Sequence, residues 1–325
     1  MAKRFDLEFE RPLVELEDKI AQFKRLASEN GIALDEDVAK LEERAHEIRK
    51  AIFENLTPQQ RIQLARHPRR PTTLDYIGAI TDDFVELHGD RQGVDDKALV
   101  GGVGRFDGRP VMFIGHQKGR DTKDNIARNF GMPQPEGYRK AIRLMRHAAR
   151  FGMPVVTFID TPGAYPGIAA EEHNQGGAIA NSILEMFQLP VPVVAVVLGE
   201  GGSGGALALG VADRVLMMEH AYYSVISPEG CAAILWKDAG KAPSAAEAMK
   251  LTSTDMKRLG LVDDVIQEPT GGAHQDAIES ARRLGMTVRK HLGEILKAPT
   301  AELLSRRYDK FRAMGQYSEE ASAHT

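Results

Sequence analysis

Two long apolar runs, each ending in a glycine-rich loop, constrain the fold of this chain more than any other feature. Residues 154–159 read Pro-Val-Val-Thr-Phe-Ile, and residues 190–198 read Pro-Val-Pro-Val-Val-Ala-Val-Val-Leu. Unbroken apolar runs that are rich in β-branched residues are typical of strands buried on both faces of a parallel sheet. Helical patterns precede both runs, so the sequence predicts an α/β core.

The N-terminal part of the chain has a helical pattern instead. From Pro12 to Leu56, apolar residues recur at three- or four-residue steps, and a break at residues 28–31 divides the pattern into two helices. We therefore expect a helical hairpin or arm over residues 1–70, which packs either on its own domain or on a partner subunit. The rest of the chain is assigned to a main domain, 71–298, and a helical C-terminal tail, 299–325.

Four further elements are expected between the arm and the second apolar run. The sequence predicts a helix from Thr73 to Leu87 and another over residues 138–151. Between them, strands at 98–106 and 110–115 flank the dipeptide Asp-Gly. This dipeptide favours a tight hairpin turn because glycine accepts a positive φ.

Composition excludes several classes of protein. Lys and Arg number 42 against 46 Asp and Glu, a balance that argues against a dedicated nucleic-acid binder. The only cysteine, Cys231, cannot form an internal disulfide or a thiolate-rich zinc site. The N-terminus does not resemble a signal peptide, and the apolar runs are far shorter than the ~20 residues of a membrane helix. We expect a cytoplasmic protein with no metal site and no specific nucleic-acid or membrane role.

The first glycine loop is Asp-Thr-Pro-Gly-Ala-Tyr-Pro-Gly, residues 160–167, directly after the first apolar run. Ligands of α/β proteins often bind at such strand ends. Glycine lets a ligand approach the backbone, and free amides at the start of the next helix can bind an oxygen that gains negative charge. The alternative for this loop alone is a strained but inert turn.

The second glycine loop is Gly-Glu-Gly-Gly-Ser-Gly-Gly, residues 199–205. Two amide-lined loops suit a reaction in which two carbonyl oxygens become negative together. The same letters also contain the dinucleotide-binding pattern G-x-G-x-x-G, although the following helix is short for that fold. They also contain G-x-S-x-G, which would make Ser203 a hydrolase nucleophile with His274 or His291 as its base.

Positive charge follows the predicted hairpin. Lys118 and Arg120 lie beside Gly119 at the end of the second hairpin strand, where a carboxylate or phosphate could dock. A solvated surface is the alternative. The nearby His116 is interpreted as a satisfied polar residue near the core, with no role in proton transfer.

Four strings of residues resemble one known family, the carboxyltransferase alpha subunits of bacterial-type multisubunit acetyl-CoA carboxylases. They lie at 115–120, 158–167, 199–208 and 224–231. The resemblance extends through 61–68, 127–132 and 245–249, and it covers nearly the whole chain up to about Tyr308. It implies a crotonase-like (ClpP/crotonase) superhelix of ββα units with an N-terminal helical arm.

The resemblance also implies an activity. A biotin-dependent carboxyltransferase of this family is active only with its beta subunit, and it moves the carboxyl group of carboxybiotin to acetyl-CoA. The product is malonyl-CoA for fatty acid synthesis; another acyl-CoA is the alternative acceptor. The implied partners are the beta subunit in an α2β2 assembly, the biotin carboxyl carrier protein that carries biotin covalently, and the biotin carboxylase component. Zinc is expected on the beta subunit only.

Site residues follow from the same resemblance. Backbone amides that form the oxyanion holes are assigned to Gly167, Ile168, Gly204 and Gly205. Residues that contact substrate are assigned to Lys118, Arg120, Gly163, Ala164, Tyr165, Gly202 and Ser203. Lys118 or Arg120 would face the migrating carboxylate. The resemblance does not decide which loop polarises biotin and which polarises the thioester, and the cofactor supplies the base.

Overall fold

The computed structural model describes residues 7–30 and 35–315. Its helices are α1 (Arg11–Asn30), α2 (Asp35–Glu54), α3 (Pro58–Ala65), α4 (Thr73–Ile80), α5 (Thr122–Ala127), α6 (Pro135–Arg150), α7 (Ile168–Glu172), α8 (Gln175–Gln188), α9 (Ser203–Leu207), α10 (Pro228–Trp236), α11 (Ala242–Met249), α12 (Ser253–Arg258), α13 (Ala277–Ile295) and α14 (Thr300–Arg312). Its strands are β1 (Asp82–Glu86), β2 (Leu99–Phe106), β3 (Arg109–His116), β4 (Val155–Thr161), β5 (Val193–Gly202), β6 (Arg214–Met218), β7 (Tyr222–Ser224) and β8 (Asp264–Ile266). Short 3-10 helices span Glu8–Glu10, Asn129–Gly131 and Ala239–Lys241.

The strands form one mixed sheet with the order β1-β2-β3-β4-β5-β6-β8, and β7 pairs with the end of β5. The first three strands are antiparallel, whereas β3, β4, β5, β6 and β8 run parallel. Every residue of β4 and β5 is buried. This confirms the prediction that both apolar runs are central strands, because only such strands have no solvent-facing side.

The N-terminal helical hairpin is confirmed. Leu13 and Ile20 of α1 pack on Ala45 of α2, and Lys24 pairs with Glu42 across the hairpin at 2.6 Å. Helix α1 continues through residues 28–30 of the predicted break at 28–31, and residue 31 lies outside the described residues. The next helix, α3, belongs to the core, since its apolar side chains are fully buried.

The predicted helix from Thr73 to Leu87 is wrong in its second half. Helix α4 ends at Ile80, and Thr81 takes an extended conformation with φ −123° and ψ 152°. The chain then forms β1, in which Val85 lies opposite Val103 of β2. Backbone hydrogen bonds at the edge of β2 decide this structure, and a local pattern of apolar residues does not contain them.

The predicted β-hairpin is confirmed at its turn. Strands β2 and β3 pair in antiparallel register, with Phe106 opposite Arg109. Asp107 and Gly108 between them have φ values of 53° and 78°. Two successive positive φ values are the signature of the turn type that the Asp-Gly dipeptide favours.

A buried arginine docks the C-terminal helix α14. Residues 316–325 of the predicted tail, 299–325, lie outside the described residues. The side chain of Arg307 in α14 is fully buried and pairs with Asp213 at 2.8 Å. Its other N–H groups donate to the carbonyl oxygens of Met186, Leu189 and Val191. The guanidinium is therefore fully satisfied, as a buried charge must be.

Candidate active site

The carboxyl ends of β4 and β5 bring the two glycine loops together. These strands are parallel neighbours, and Thr161 lies opposite Gly201. Parallel strands end at the same edge of a sheet, so the loops at 160–167 and 199–205 adjoin there. Helices α7 and α9 begin within or directly after the loops. The edge therefore presents two helix starts side by side.

The two loops touch through their backbones, and glycine makes this contact possible. An ideal Cβ on Gly202 would lie 2.1 Å from the carbonyl oxygen of Pro162. One on Gly205 would lie 2.6 Å from the backbone nitrogen of Ala164. Neither distance can accommodate a side chain. The glycines at these two positions therefore set the spacing between the loops.

The four predicted oxyanion amides occupy the first turns of α7 and α9. Gly167 precedes α7 and Ile168 opens it, while Gly204 and Gly205 are the second and third residues of α9. Amides in a first helical turn have no acceptor within the helix, so they can bind an external oxygen. Their surroundings differ, because Ile168 is 81% exposed and Gly205 is buried.

The remaining part of the first loop is held from outside by hydrogen bonds. The backbone N–H of Tyr165 donates to the carbonyl of Pro133 over 2.9 Å. The Gln175 side-chain amide, which is buried, donates to the carbonyls of Tyr165 at 3.0 Å and of Pro133 at 2.9 Å. Within the loop, the Thr161 hydroxyl donates to the Gly163 carbonyl over 2.6 Å. Sequence reasoning assigned no role to Gln175.

Ser203 stands at the junction of β5 and α9, exposed, with a left-handed φ of 55°. The two histidines proposed as its base have other contacts. His274 stacks on His67 with 3.9 Å between ring centroids, and His291 lies 3.0 Å from Asp264. The dinucleotide-binding alternative is weakened as well, since α9 has only five residues. A crossover helix of that fold is longer.

Lys118 lies in an ionic network below the loops. Its ammonium is 2.7 Å from Asp160 Oδ1 and 2.8 Å from Glu200 Oε2. Each carboxylate belongs to a glycine loop, and Asp160 Oδ1 also accepts the backbone N–H of Glu200 over 2.9 Å. Burial lowers the pKa of Lys118, but the two carboxylates outweigh burial and raise it. Lys118 thus ties the loops together as a cation.

Arg66, just after α3, extends this network to a third wall of the site. Its guanidinium is 2.7 Å from both Glu200 and Glu229 and 3.1 Å from the Tyr222 hydroxyl. The same hydroxyl donates to Glu200 over 2.6 Å. Burial raises the pKa of Glu200, yet Lys118 and Arg66 overcome that effect and lower it to about 2. Glu200 is therefore ionised at neutral pH.

Sequence reasoning missed Arg66 and Glu200 as a pair, because 134 positions separate them. The sequence contained only a weak indication that a cation must lie nearby. An acidic residue lies within or directly after each buried strand, and burying an unpaired carboxylate there would be costly. Only the packing of α3 against β5 identifies Arg66 as the second cation, beside Lys118, that neutralises Glu200.

Arg120 has different surroundings from Lys118. It pairs with Asp75 at the start of α4, and its side chain is 70% exposed. A cavity of about 160 Å³ lies between the two cations, and Arg66, Arg70 and Asp160 also line it. Ligand pockets for small molecules usually exceed about 300 Å³. This cavity is therefore too small to hold an acyl-CoA.

His116 lies beneath the first loop as a neutral imidazole. It is fully buried, and its Nδ1 accepts the backbone N–H of Asp160 over 3.4 Å. Burial lowers the pKa of His116 to about 3. This agrees with the interpretation that it has no role in proton transfer.

The structure describes residues 7–30 and 35–315. Within these ranges no group of three His, Cys, Asp or Glu side chains is arranged to hold a metal ion. Nor does this part of the chain contain a helix with the length and apolar character needed to cross a membrane.

Comparison with solved structures identifies the fold. A Pseudomonas malonate decarboxylase hetero-tetramer in complex with coenzyme A matches with a TM-score of 0.57 at 18% identity, over 72% of this chain and 91% of that one. Transcarboxylase 12S matches with a TM-score of 0.53 at 21% identity, over 77% of this chain. The present chain spans only 43% of the transcarboxylase chain. These likenesses confirm the predicted crotonase-like fold.

Comparison with sequences identifies the family. The acetyl-coenzyme A carboxylase carboxyl transferase subunit alpha of Synechococcus elongatus is 59% identical over 313 residues, which are 96% of each chain. A family model described as acetyl co-enzyme A carboxylase carboxyltransferase-like matches residues 6–315. Since both matches cover nearly the full length, the chain belongs to the acetyl co-enzyme A carboxylase carboxyltransferase family.

Proposed function

We propose that this chain is the alpha half of a two-chain carboxyltransferase that moves a carboxyl group from carboxybiotin to acetyl-CoA and forms malonyl-CoA. One observation carries the proposal: two turns with free amides touch each other at the ends of adjacent strands, Gly202 on Pro162 and Gly205 on Ala164. Carboxyl transfer between these substrates makes two carbonyl oxygens negative, one on each substrate. Two adjacent sets of donors suit that demand.

The amides of this chain stabilise those oxygens. Gly167 and Ile168 donate from one loop, and Gly204 and Gly205 donate from the other. Donors that are fixed before the reaction need no reorganisation as charge develops, and each is worth about 2.7–4 kcal/mol of barrier. The ionic network of Lys118 joins Asp160 of one loop to Glu200 of the other, so it helps to hold the two donor pairs at the spacing that the glycine contacts allow.

The titratable groups below the loops are poor bases. Glu200 has a pKa of about 2, and His116 has a pKa of about 3. A general base works best with a pKa near the operating pH. Bound biotin supplies the carboxyl group and, through its ureido nitrogen, a base for the acceptor's methyl proton. The residues of this chain then need only to bind the two substrates and orient them.

The second glycine loop has room for carboxybiotin, the carboxyl donor. An ideal Cβ on Gly204 would lie 3.6 Å from Ile179, which is ordinary contact, and the neighbouring Ser203 is exposed. A ureido carbonyl can therefore approach the amides of α9 from the solvent side. The residues of the second loop are therefore suited to binding carboxybiotin.

A second chain is needed to complete the site. Ile168, whose amide is one of the first pair of hydrogen-bond donors, exposes 81% of its surface, and the cavity between Lys118 and Arg120 measures only about 160 Å³. The proposed partner is a beta subunit, in an α2β2 assembly that is active only as a pair. A biotin carboxyl carrier protein and a biotin carboxylase component would supply the donor, and structural zinc would belong to the beta subunit.

Reconstitution tests the proposal. The chain would be purified alone and with a beta subunit, and malonyl-CoA formation from carboxybiotin and acetyl-CoA would be followed in both samples, with propionyl-CoA as a competing acceptor. Activity is expected only in the mixture, and it should survive the change Ser203→Ala. Ester hydrolysis by the chain alone, abolished by Ser203→Ala, would contradict the proposal and favour a hydrolase.

A further inference from the structure

The segment between α5 and α6 has an unusual backbone. Asn129, Phe130 and Gly131 have φ values of 47°, 55° and 77°. Left-handed geometry is ordinary for glycine and tolerated by asparagine, but it is a genuine outlier for a bulky aromatic residue. Strained conformations persist only where the surrounding structure imposes them, and they cluster at functional sites.

The surroundings of this turn do impose it. At one end, Arg128 pairs with Asp124 at 2.8 Å and donates to the carbonyl of Lys97 at 2.9 Å. Within the turn, the N–H of Gly131 donates to the carbonyl of Arg128 over 2.8 Å. At the other end, the Pro133 carbonyl accepts the N–H of Tyr165 in the first glycine loop.

The turn also presses against the network below that loop. An ideal Cβ on Gly131 would lie 2.8 Å from Lys118 Cγ and 3.3 Å from the carbonyl oxygen of Asp160. Phe130 is thus attached, through its neighbour, to the base of the first loop.

The ring of Phe130 gains little from this placement in the isolated chain. It remains 52% exposed, and it is absent from the buried hydrophobic clusters of the described residues. A glycine would adopt the same φ without strain. The backbone cost and the exposed ring are both explained if the ring contacts a ligand in the working enzyme.

We propose that Phe130 is a binding contact for the donor, against which the planar ureido ring of biotin packs while its polar edge faces the glycine loops. This inference rests on the proposed function. An aromatic face suits a small ring system that is apolar on its flat sides and polar at its edge. The strained turn fixes the backbone of Phe130 next to Gly131, which lies against Lys118 and Asp160 at the base of the first loop.

The test compares two substitutions of Phe130. Both remove the ring, but only one of them relieves the backbone strain. Phe130→Ala removes the ring and keeps the strained φ, whereas Phe130→Gly removes both. Each variant, assembled with the beta subunit, would be assayed in the reverse direction, in which free biotin accepts the carboxyl group of malonyl-CoA. We expect both to raise the KM for biotin about tenfold, by the same factor, with the KM for malonyl-CoA unchanged.

Stability supplies the second readout. The Gly variant should be at least as stable as the wild type in urea and more stable than the Ala variant, because glycine adopts the positive φ freely. Ile126→Ala is the matched control, since Ile126 is 60% exposed in the adjoining helix α5 and has a regular helical backbone. It should leave the KM for biotin unchanged.

Three results would contradict the proposed contact between Phe130 and biotin. An unchanged KM for biotin in both variants would show that the ring does not touch the donor. Recovery of activity in the Gly variant relative to the Ala variant would show that activity follows stability alone. Loss of assembly with the beta subunit, measured by sedimentation, would assign the ring to the subunit interface. A wild-type complex without any carboxyl transfer would instead contradict the proposed function itself.

Discussion

The contact between the two glycine loops makes a sharp prediction about adjacent glycines. In Gly205→Ala, the new Cβ would lie 2.6 Å from the backbone nitrogen of Ala164, whereas ordinary contact begins at 3.4 Å. The first loop must therefore retreat by about 0.8 Å, the difference between those two distances. Its neighbour is the matched control: a Cβ in Gly204→Ala meets only Ile179, at 3.6 Å.

The size of the effect follows from that displacement. A misplacement of about 1 Å at a reacting centre can cost about 10²-fold in rate, which corresponds to about 2.7 kcal/mol of barrier. We expect Gly205→Ala to lower kcat by about that factor and to cost about 1–3 kcal/mol of unfolding free energy through overpacking. Gly204→Ala should stay within roughly threefold of the wild-type rate, since its amide is kept and its Cβ fits.

The assay is malonyl-CoA formation by the chain reconstituted with a beta subunit, with assembly checked by sedimentation and stability by urea unfolding. Equal losses of kcat in Gly204→Ala and Gly205→Ala would refute the reasoning, because the spacing of the loops would then have no separate effect on the rate. Full activity in Gly205→Ala would refute it as well, since the clash would have been absorbed without effect on the donors.

Other predictions concern the buried charges. Lys118→Met should destabilise the protein by about 3–5 kcal/mol in urea unfolding, because Asp160 and Glu200 lose their shared cation, and a loss below 1 kcal/mol would contradict the network. The folded-state pKa of Glu200, about 2, lies below its ordinary 4.5, so its stabilisation is complete above pH 4.5 and is lost as the pH falls towards 2. The stability difference between the wild type and Glu200→Gln should therefore shrink across that window, and a constant difference would refute the assignment. Arg307→Met should cost about 3–5 kcal/mol by leaving Asp213 buried and unpaired, and partial rescue by the added change Asp213→Asn, measured in the same assay, would confirm the pairing.

Periodicity and turn chemistry by themselves determined much of the fold. The apolar runs at 154–159 and 190–198 predicted the two central strands, since few other structures bury every residue of such a run. The Asp-Gly dipeptide predicted the hairpin turn between β2 and β3, since the turn is local and its φ values follow from the residue types. The resemblance, carried by long strings within the loops, predicted the family.

Tertiary structure alone decided the contacts between distant parts of the chain. The helix predicted to reach Leu87 gave way to β1, because the free edge of β2 offers hydrogen bonds that no local pattern contains. Lys118 or Arg120 was predicted to face a substrate carboxylate, and that assignment stays a prediction. The sequence did not show that the Lys118 ammonium lies between Asp160 and Glu200, whose carboxylates come from two different strands. Pairing of charges depends on distances of a few ångströms between residues far apart in sequence, and only the packed chain fixes those distances.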